Sequence, residues 1–239
     1  KTSGYKQYNF MQKLAYKTQN GFTHSANFQY STSTDINRYD RLTDPAGSGL
    51  KSAEWYYGPQ KRLLGVYSLE KENVFNSTDF KLDAGYQYVE ESRHNRNFGN
   101  YNLQNRVEKV AVYSLAVNFE TKLIKGDLYY GIENYYDDLK STAHKNNINT
   151  GVDVPLDTRY PNGKNNMMRN DVYVSYSSKR HEATNFSIGA RAGYATLNST
   201  IADNSILPLP FTEIKQQNFT YSGNIGLVHN ASENFIVKT

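Results

Sequence analysis

The sequence predicts an all-β chain: an antiparallel up-and-down meander of about ten strands, forming part of a transmembrane β-barrel with long extracellular loops and short periplasmic turns. Three observations carry this. Apolar and polar residues alternate one by one in segments such as Ala26-Asn27-Phe28-Gln29-Tyr30 and Ala111-Val112-Tyr113-Ser114-Leu115-Ala116-Val117-Asn118-Phe119. That period of two places successive side chains on opposite faces of a sheet. Connections alternate in length, with short turns at Lys17–Phe22, Lys122–Asp127, Ser178–Thr184 and His229–Glu233 and a somewhat longer one at Glu70–Asp79. Between them lie long polar stretches at Asp35–Gln60, Glu91–Glu108, Leu139–Asn170 and Asn198–Gln217. Strands of about ten to twelve residues suit a tilted membrane crossing better than the five or six usual in soluble sheets.

The strands are expected near 5–16, 23–34, 61–70, 80–90, 108–121, 127–138, 170–178, 185–197, 218–228 and 234–239. Thr18-Gln19-Asn20-Gly21 carries the Asn-Gly pair of a type I′ hairpin, and Lys125-Gly126 marks the third turn. No segment joins two caps to a 3.6-residue apolar stripe, so no helix is expected. The chain opens inside a strand, and Asn234-Phe235-Ile236-Val237 begins another just before its end. Residues 1–239 are therefore expected to be a fragment of one β-barrel domain.

Composition narrows the function classes. Mean hydropathy is −0.75 and no apolar run approaches eighteen residues, which excludes a transmembrane helix but not a barrel, where only alternate residues meet lipid. Tyrosines (21) outnumber phenylalanines (11), an excess of rings with polar tips that suits membrane–water interfaces. A tyrosine-rich, glycan-binding soluble sandwich shares that composition. Cysteine is absent, so neither disulfides nor thiolate-bound metals contribute. The net charge of +4 is scattered, whereas nucleic-acid binding wants a concentrated basic face.

Face assignment sharpens the choice. Tyr8, Phe10, Leu14 and Tyr16 share one side of the first strand, with Ala26, Phe28 and Tyr30 on the second. Lipid would take these and a wet lumen the Ser, Asn and Gln opposite, whereas a sandwich would turn the apolar set inward. Aromatics beside the short turns (Tyr16 and Phe22, Phe75 and Phe80, Phe119 and Tyr129, Tyr176 and Phe186) favour the barrel, as a girdle at one membrane face. Gln12 falls on the lipid side, and Leu63-Leu64 breaks the alternation of the third strand.

The long loops hold the distinctive residues. They include Arg38-Tyr39-Asp40-Arg41-Leu42, Ala53-Glu54-Trp55-Tyr56-Tyr57-Gly58-Pro59-Gln60-Lys61, Glu90-Glu91-Ser92-Arg93-His94-Asn95-Arg96 and Thr158-Arg159-Tyr160-Pro161-Asn162-Gly163. With these strings and the opening Asn9-Phe10-Met11-Gln12-Lys13-Leu14, most of the chain resembles the barrel of TonB-dependent outer-membrane receptors of the Bacteroidota type. The resemblance implies a 22-stranded barrel closed by an N-terminal plug. It implies capture of a scarce nutrient, an iron–siderophore complex or haem first among them, and import energised through TonB acting on the plug. The plug, its TonB-contacting segment and the remaining strands are absent from these residues. A passive porin is the alternative.

Arg38, Tyr39, Arg41, Trp55, Tyr56, Tyr57, Arg93 and Arg96 are the candidate ligand-binding residues, since aromatic faces and guanidinium groups together hold planar or anionic chelates. The bland readings stand beside this one: Trp55-Tyr56-Tyr57 as loop packing or an upper aromatic belt, the arginines as partners of Asp40, Asp44, Glu90 and Glu91, and His94 as a solvated side chain. No metal site and no cofactor is expected. Nor is catalysis: no nucleophile elbow, zinc-binding His-Glu-X-X-His or phosphate loop occurs, and the neighbours Glu90-Glu91 and Asp137-Asp138 point to opposite strand faces.

Overall fold

A computed structural model describes residues 4–178, 184–232 and 235–238. In chain order the elements are β1 (Gln7–Lys17), β2 (Phe22–Ser33), β3 (Ile36–Asn37), the one-turn helix α1 (Tyr39–Leu42), β4 (Pro45–Ala46), β5 (Gly49–Leu50) and β6 (Ser52–Tyr57). Then follow β7 (Lys61–Phe75), β8 (Thr78–Asn97), β9 (Asn102–Leu123), β10 (Gly126–Asn147), β11 (Asp153–Pro155), β12 (Asn165–Ser178), β13 (Thr184–Thr200), β14 (Glu213–Ser232) and β15 (Phe235–Lys238). One antiparallel sheet runs β1-β2-β7-β8-β9-β10-β12-β13-β14-β15, an up-and-down meander in which each of the ten expected strands has its counterpart.

Apolar side chains sit on the outside of this sheet rather than in a core. Leu42, Ala53 and Leu156 are the only buried hydrophobics among the described residues, and all three lie in loop-end segments. In mid-sheet, Leu115, Ile132 and Val172 are 41, 52 and 55 % exposed, and Tyr8, Phe28, Tyr86 and Tyr113 are exposed as well. Among the described residues no second sheet covers them, the two-stranded β4-β5 sheet lying in the loop between β3 and β6, and the arrangement is not a sandwich.

The register gives the band its shape. Tyr8 to Tyr16 spans it on β1, Ala111 to Phe119 on β9, and Phe219 to Leu227 on β14. Following cross-strand partners from Phe219 through Tyr194, Asn170, Asn134, Leu115, Ala84, Tyr67 and Ala26 leads back to Leu14, six residues below Tyr8. The same path from Tyr221 ends at Tyr16, so the lower edge drops by six residues as well. At about 3.3 Å per residue and 4.8 Å per strand, this slant corresponds to a strand tilt of roughly 30° and a band roughly 24 Å tall. The height matches the apolar band of a transmembrane barrel wall, about 25 Å, while the slant falls short of the usual tilt of about 35–45°. Tyr8, Tyr30, Tyr88, Tyr136, Tyr194 and Phe219 ring the upper edge, and Tyr16, Phe22, Phe80, Phe119, Tyr176 and Phe186 the lower. Tyr129 departs from expectation. It lies on the polar face, where its hydroxyl donates to Glu120, and Tyr130 takes the girdle position, stacked on Phe119 at 5.2 Å. Gln12 is mid-band on β1, its amide donating to the Lys13 carbonyl, and Leu64 turns to the polar face between Gln29 and Gln87.

The long loops are shorter than the sequence suggests. Glu91–Glu108 is no loop: β8 and β9 stay paired through Asn95↔Gln104, and residues 98–101 alone make the turn. Likewise β10 reaches Asn147 and β12 begins at Asn165. These extensions project beyond the band, where both faces meet water and alternation no longer marks a strand. Turn chemistry also differs. Thr18–Gly21 closes with Gly21 N–H donating to the Thr18 carbonyl, and Gly21 alone has positive φ there, so the connection is a type I-like turn with a left-handed last residue, not type I′. Glu70–Asp79 shrinks to Asn76-Ser77, both at positive φ, because β7 continues to Phe75 through an irregularity after Lys71. Parts of the turns expected at Ser178–Thr184 and His229–Glu233 lie outside the described residues.

Gly126 is not a turn residue but the first residue of β10, paired with Leu123. A Cβ there would stand 2.3 Å from the Ser177 carbonyl oxygen, whereas at Gly65 it would meet nothing within 4 Å. Gly126→Ala is therefore expected to lower stability by about 1–3 kcal/mol and Gly65→Ala to change it little, as urea-unfolding midpoints in detergent would read out.

Candidate ligand-binding site

The residues between β2 and β7 build the loop-end structure. Gly58, Pro59 and Gln60 interrupt what is otherwise one long strand, with β6 pairing to β8 at Tyr57↔Arg93 and β7 resuming at Lys61↔Glu90. Three residues thus face two, a bulge that leaves β6 and β7 in one lane beside β8. Returning from β2, β3 pairs with β6, and the Arg38 N–H donates to the Trp55 carbonyl at 3.0 Å. Leu42 of α1 is buried at 3 % exposure and anchors the helix turn.

Trp55-Tyr56-Tyr57 is therefore strand, not loop, and strand geometry splits the expected cluster. Trp55 and Tyr57 face the polar, inward side; Tyr56 faces the other. Arg93 and Arg96 divide in the same way. The outward group is internally satisfied. Tyr56 stacks on His94 at 4.6 Å, and His94 Nδ1 meets Asn105 Oδ1 at 2.6 Å. Arg96 donates to Glu54 at 2.8 Å and to the Asn100 carbonyl at 3.0 Å. Burial first, then the charges of Asp35 and Glu54, raise the Tyr56 phenol above its usual range. Tyr39 is largely exposed at the start of α1, and Arg41 reaches Asp44 at 3.6 Å and Asp40 at 3.8 Å.

The inward group is different. Trp55 and Tyr57 meet edge to face at 5.1 Å, and two guanidinium groups lie over them. Arg38 is 5.3 Å and 5.1 Å from the two ring centroids, and Arg93 is 5.9 Å and 5.3 Å from them. Arg38 is fixed: it grips Asp40 with two hydrogen bonds, 2.8 Å and 2.6 Å, and donates to the Tyr57 hydroxyl at 2.7 Å. The Arg38 hydrogen bond holds the Asp40 carboxyl below its usual range. Arg93 has no such partner. Among the described residues no carboxylate pairs with it, and its buried Nε has no hydrogen-bond acceptor.

Directly across the ladder from Arg93 stands Arg106, a residue the sequence reading missed. It is held by Asp157, through the backbone carbonyl at 3.1 Å and the carboxylate at 3.0 Å. Next to it on the same face, Arg159 approaches Glu108 at 3.6 Å. Like charges opposite each other in a sheet are unfavourable. Here Arg106 is offset by Asp157 and Arg159 by Glu108, while Glu91 stands opposite Glu108 one same-face position away, so the free cationic group over the aromatic floor is Arg93, able to hold an anionic or planar group. Once the 98–101 turn is known, the signal for Arg106 is simple: it lies as far after that turn as Arg93 lies before it.

No family model matches the sequence, and no curated protein does. Solved structures share its fold. A copper transporter, OprC, superimposes with a TM-score of 0.76 at 11 % identity, covering 96 % of this chain and 35 % of that one. The ferric yersiniabactin uptake receptor FyuA from Yersinia pestis gives 0.70 at 11 % identity, covering 98 % and 36 %. The ferric citrate transporter FecA gives 0.70 at 10 % identity, covering 98 % and 35 %. The chain thus spans about a third of the length of the solved proteins it matches, and it has their barrel-wall fold.

Proposed function

We propose that this chain is part of the barrel wall of a TonB-dependent outer-membrane receptor, which imports a scarce nutrient with an iron–siderophore complex or haem as cargo. The observation that carries the reading is Arg93, a guanidinium with no carboxylate partner among the described residues, poised over Trp55 and Tyr57 on the inward face at the loop end. A negatively charged chelate supplies what that group lacks. Three further points support the reading: the loop strings, the tilted apolar band, and the uptake proteins that share the fold. The loop end faces the outside of the cell and the short turns face the periplasm.

β1 is exposed along its whole length, and an unpaired strand edge is untenable in lipid. In this reading further strands pair with it, and a plug domain that contacts TonB closes the lumen. Arg93, Trp55 and their neighbours bind; they perform no chemistry on the cargo.

The test is uptake by cells that express the full-length protein. Accumulation of the iron chelate is expected to stop when a protonophore collapses the proton-motive force, while surface binding persists. Accumulation that simply equilibrates and ignores the protonophore would make the protein a passive porin.

A further inference from the structure

Two positions below Arg93, on the same inward face of β8, stands Glu91. Its ladder partner is Glu108, so two carboxylates oppose each other directly, which destabilises a sheet unless each charge is met. Glu108 is met. It is buried, Arg159 approaches it at 3.6 Å, and the Ser141 hydroxyl donates to it at 3.4 Å. Glu91 is exposed, and among the described residues no cation comes within ion-pair distance of it.

The cations around Glu91 are committed elsewhere. Arg62, beside it on β7, reaches down to Gln87 and donates at 3.0 Å. Arg106, on β9, is held by the Asp157 carboxylate at 3.0 Å. Lys61 and Lys109 are on the opposite face, where both engage Glu90, at 3.2 Å and 3.6 Å. Arg93 itself is drawn over the Trp55 and Tyr57 rings. Its backbone stands roughly 7 Å along the strand from that of Glu91. A free cation and a free anion therefore sit on one face, close together and not paired. There is also room beside the carboxylate. A cavity of about 540 Å³ adjoins Glu91, with Ser33, Gln60, Arg62 and Val89 in its lining.

We infer that the site takes a dipolar ligand, whose anionic chelate engages Arg93 while a protonated amine on the same molecule enters this cavity and engages Glu91. Arg93 then supplies affinity and Glu91 sets specificity. A chelate that is only anionic meets Glu91 as repulsion, and an amine turns that repulsion into a charge-assisted contact. The inference rests on the iron-chelate reading above and narrows its cargo to one chemical class.

The test uses two probes that differ by one charge: a ferric tris-catecholate with a single pendant primary amine, and the same complex with that amine acetylated. Outer-membrane vesicles containing the full-length protein are expected to bind the amine form about tenfold more tightly. E91Q should abolish the preference by weakening the amine form alone, and E91D should keep part of it. R93A should weaken both forms alike and leave the preference in place. Heat-modifiable migration on semi-native gels shows that each variant is folded. Equal affinity of the parent for the two forms, or a preference that survives in E91Q, overturns the dipolar site. Failure of the folded parent to bind either form would instead overturn the iron-chelate reading, and this inference with it, so the two failures are distinguishable.

Discussion

Ile132→Arg is expected to abolish most membrane insertion, while Ala116→Arg on the adjacent strand leaves it intact. Ile132 is in the middle of the band on β10, 52 % exposed, between Val117 and Val172 in the ladder. A guanidinium at that depth costs about 2–4 kcal/mol in a barrel facing lipid, a large part of a typical folding free energy. Ala116 stands on the polar face, between Asp83 and Glu133 in the ladder. An arginine there gains two carboxylates and stays hydrated. The measurement is the heat-modifiable folded fraction on semi-native gels after refolding into phosphatidylcholine vesicles. A soluble sheet with a wet apolar side would give no difference, and one that buried this face against another protein would show the loss without lipid. Leu115→Arg, mid-band on β9, should behave as Ile132→Arg does.

The fold was legible where the environment differs on the two sides of a strand. Between Ala111 and Phe119 one face is apolar and outward and the other polar and inward, so alternation is complete and the strand is plain in the sequence. Between Glu91 and Glu108 both faces meet water. Residues such as His94, Asn95, Gln104 and Asn105 pair across the ladder while carrying no pattern, and the hairpin reads as a loop. The same blindness governs the site. Trp55, Tyr56 and Tyr57 look like one cluster when they are taken as loop. Once they are a strand, the pleat sends Tyr56 away from its neighbours, and the bulge at Gly58–Gln60 fixes which faces point inward. Arg106 stayed hidden because its relation to Arg93 exists only through a register that polar residues do not announce.

That pleat makes the sharpest functional prediction, because it divides the five strand-borne candidates into Trp55, Tyr57 and Arg93 on the inward face and Tyr56 and Arg96 on the other. On the proposed reading, Trp55→Ala and Arg93→Ala in the full-length protein are each expected to weaken binding of the proposed iron chelate about tenfold or more. On that reading Arg93 would contribute a charge-assisted contact in a partly desolvated site, and Trp55 the ring face beneath it. Arg38→Ala should cost less than Arg93→Ala, since Asp40 already engages its guanidinium and the loss falls mainly on the positioning of Tyr57. Tyr56→Ala and Arg96→Ala should leave affinity within about twofold, because His94, Glu54 and the Asn100 carbonyl use their contacts on the opposite face. Raising the salt concentration should narrow the gap between Arg93→Ala and the parent while leaving the Trp55→Ala deficit in place, as only the first interaction is between charges. Equilibrium binding of the labelled chelate to outer-membrane vesicles reads all five variants. Equal losses at Tyr56 and Trp55 would mean that the ligand contacts both faces of β6, and the inward-facing site would fall.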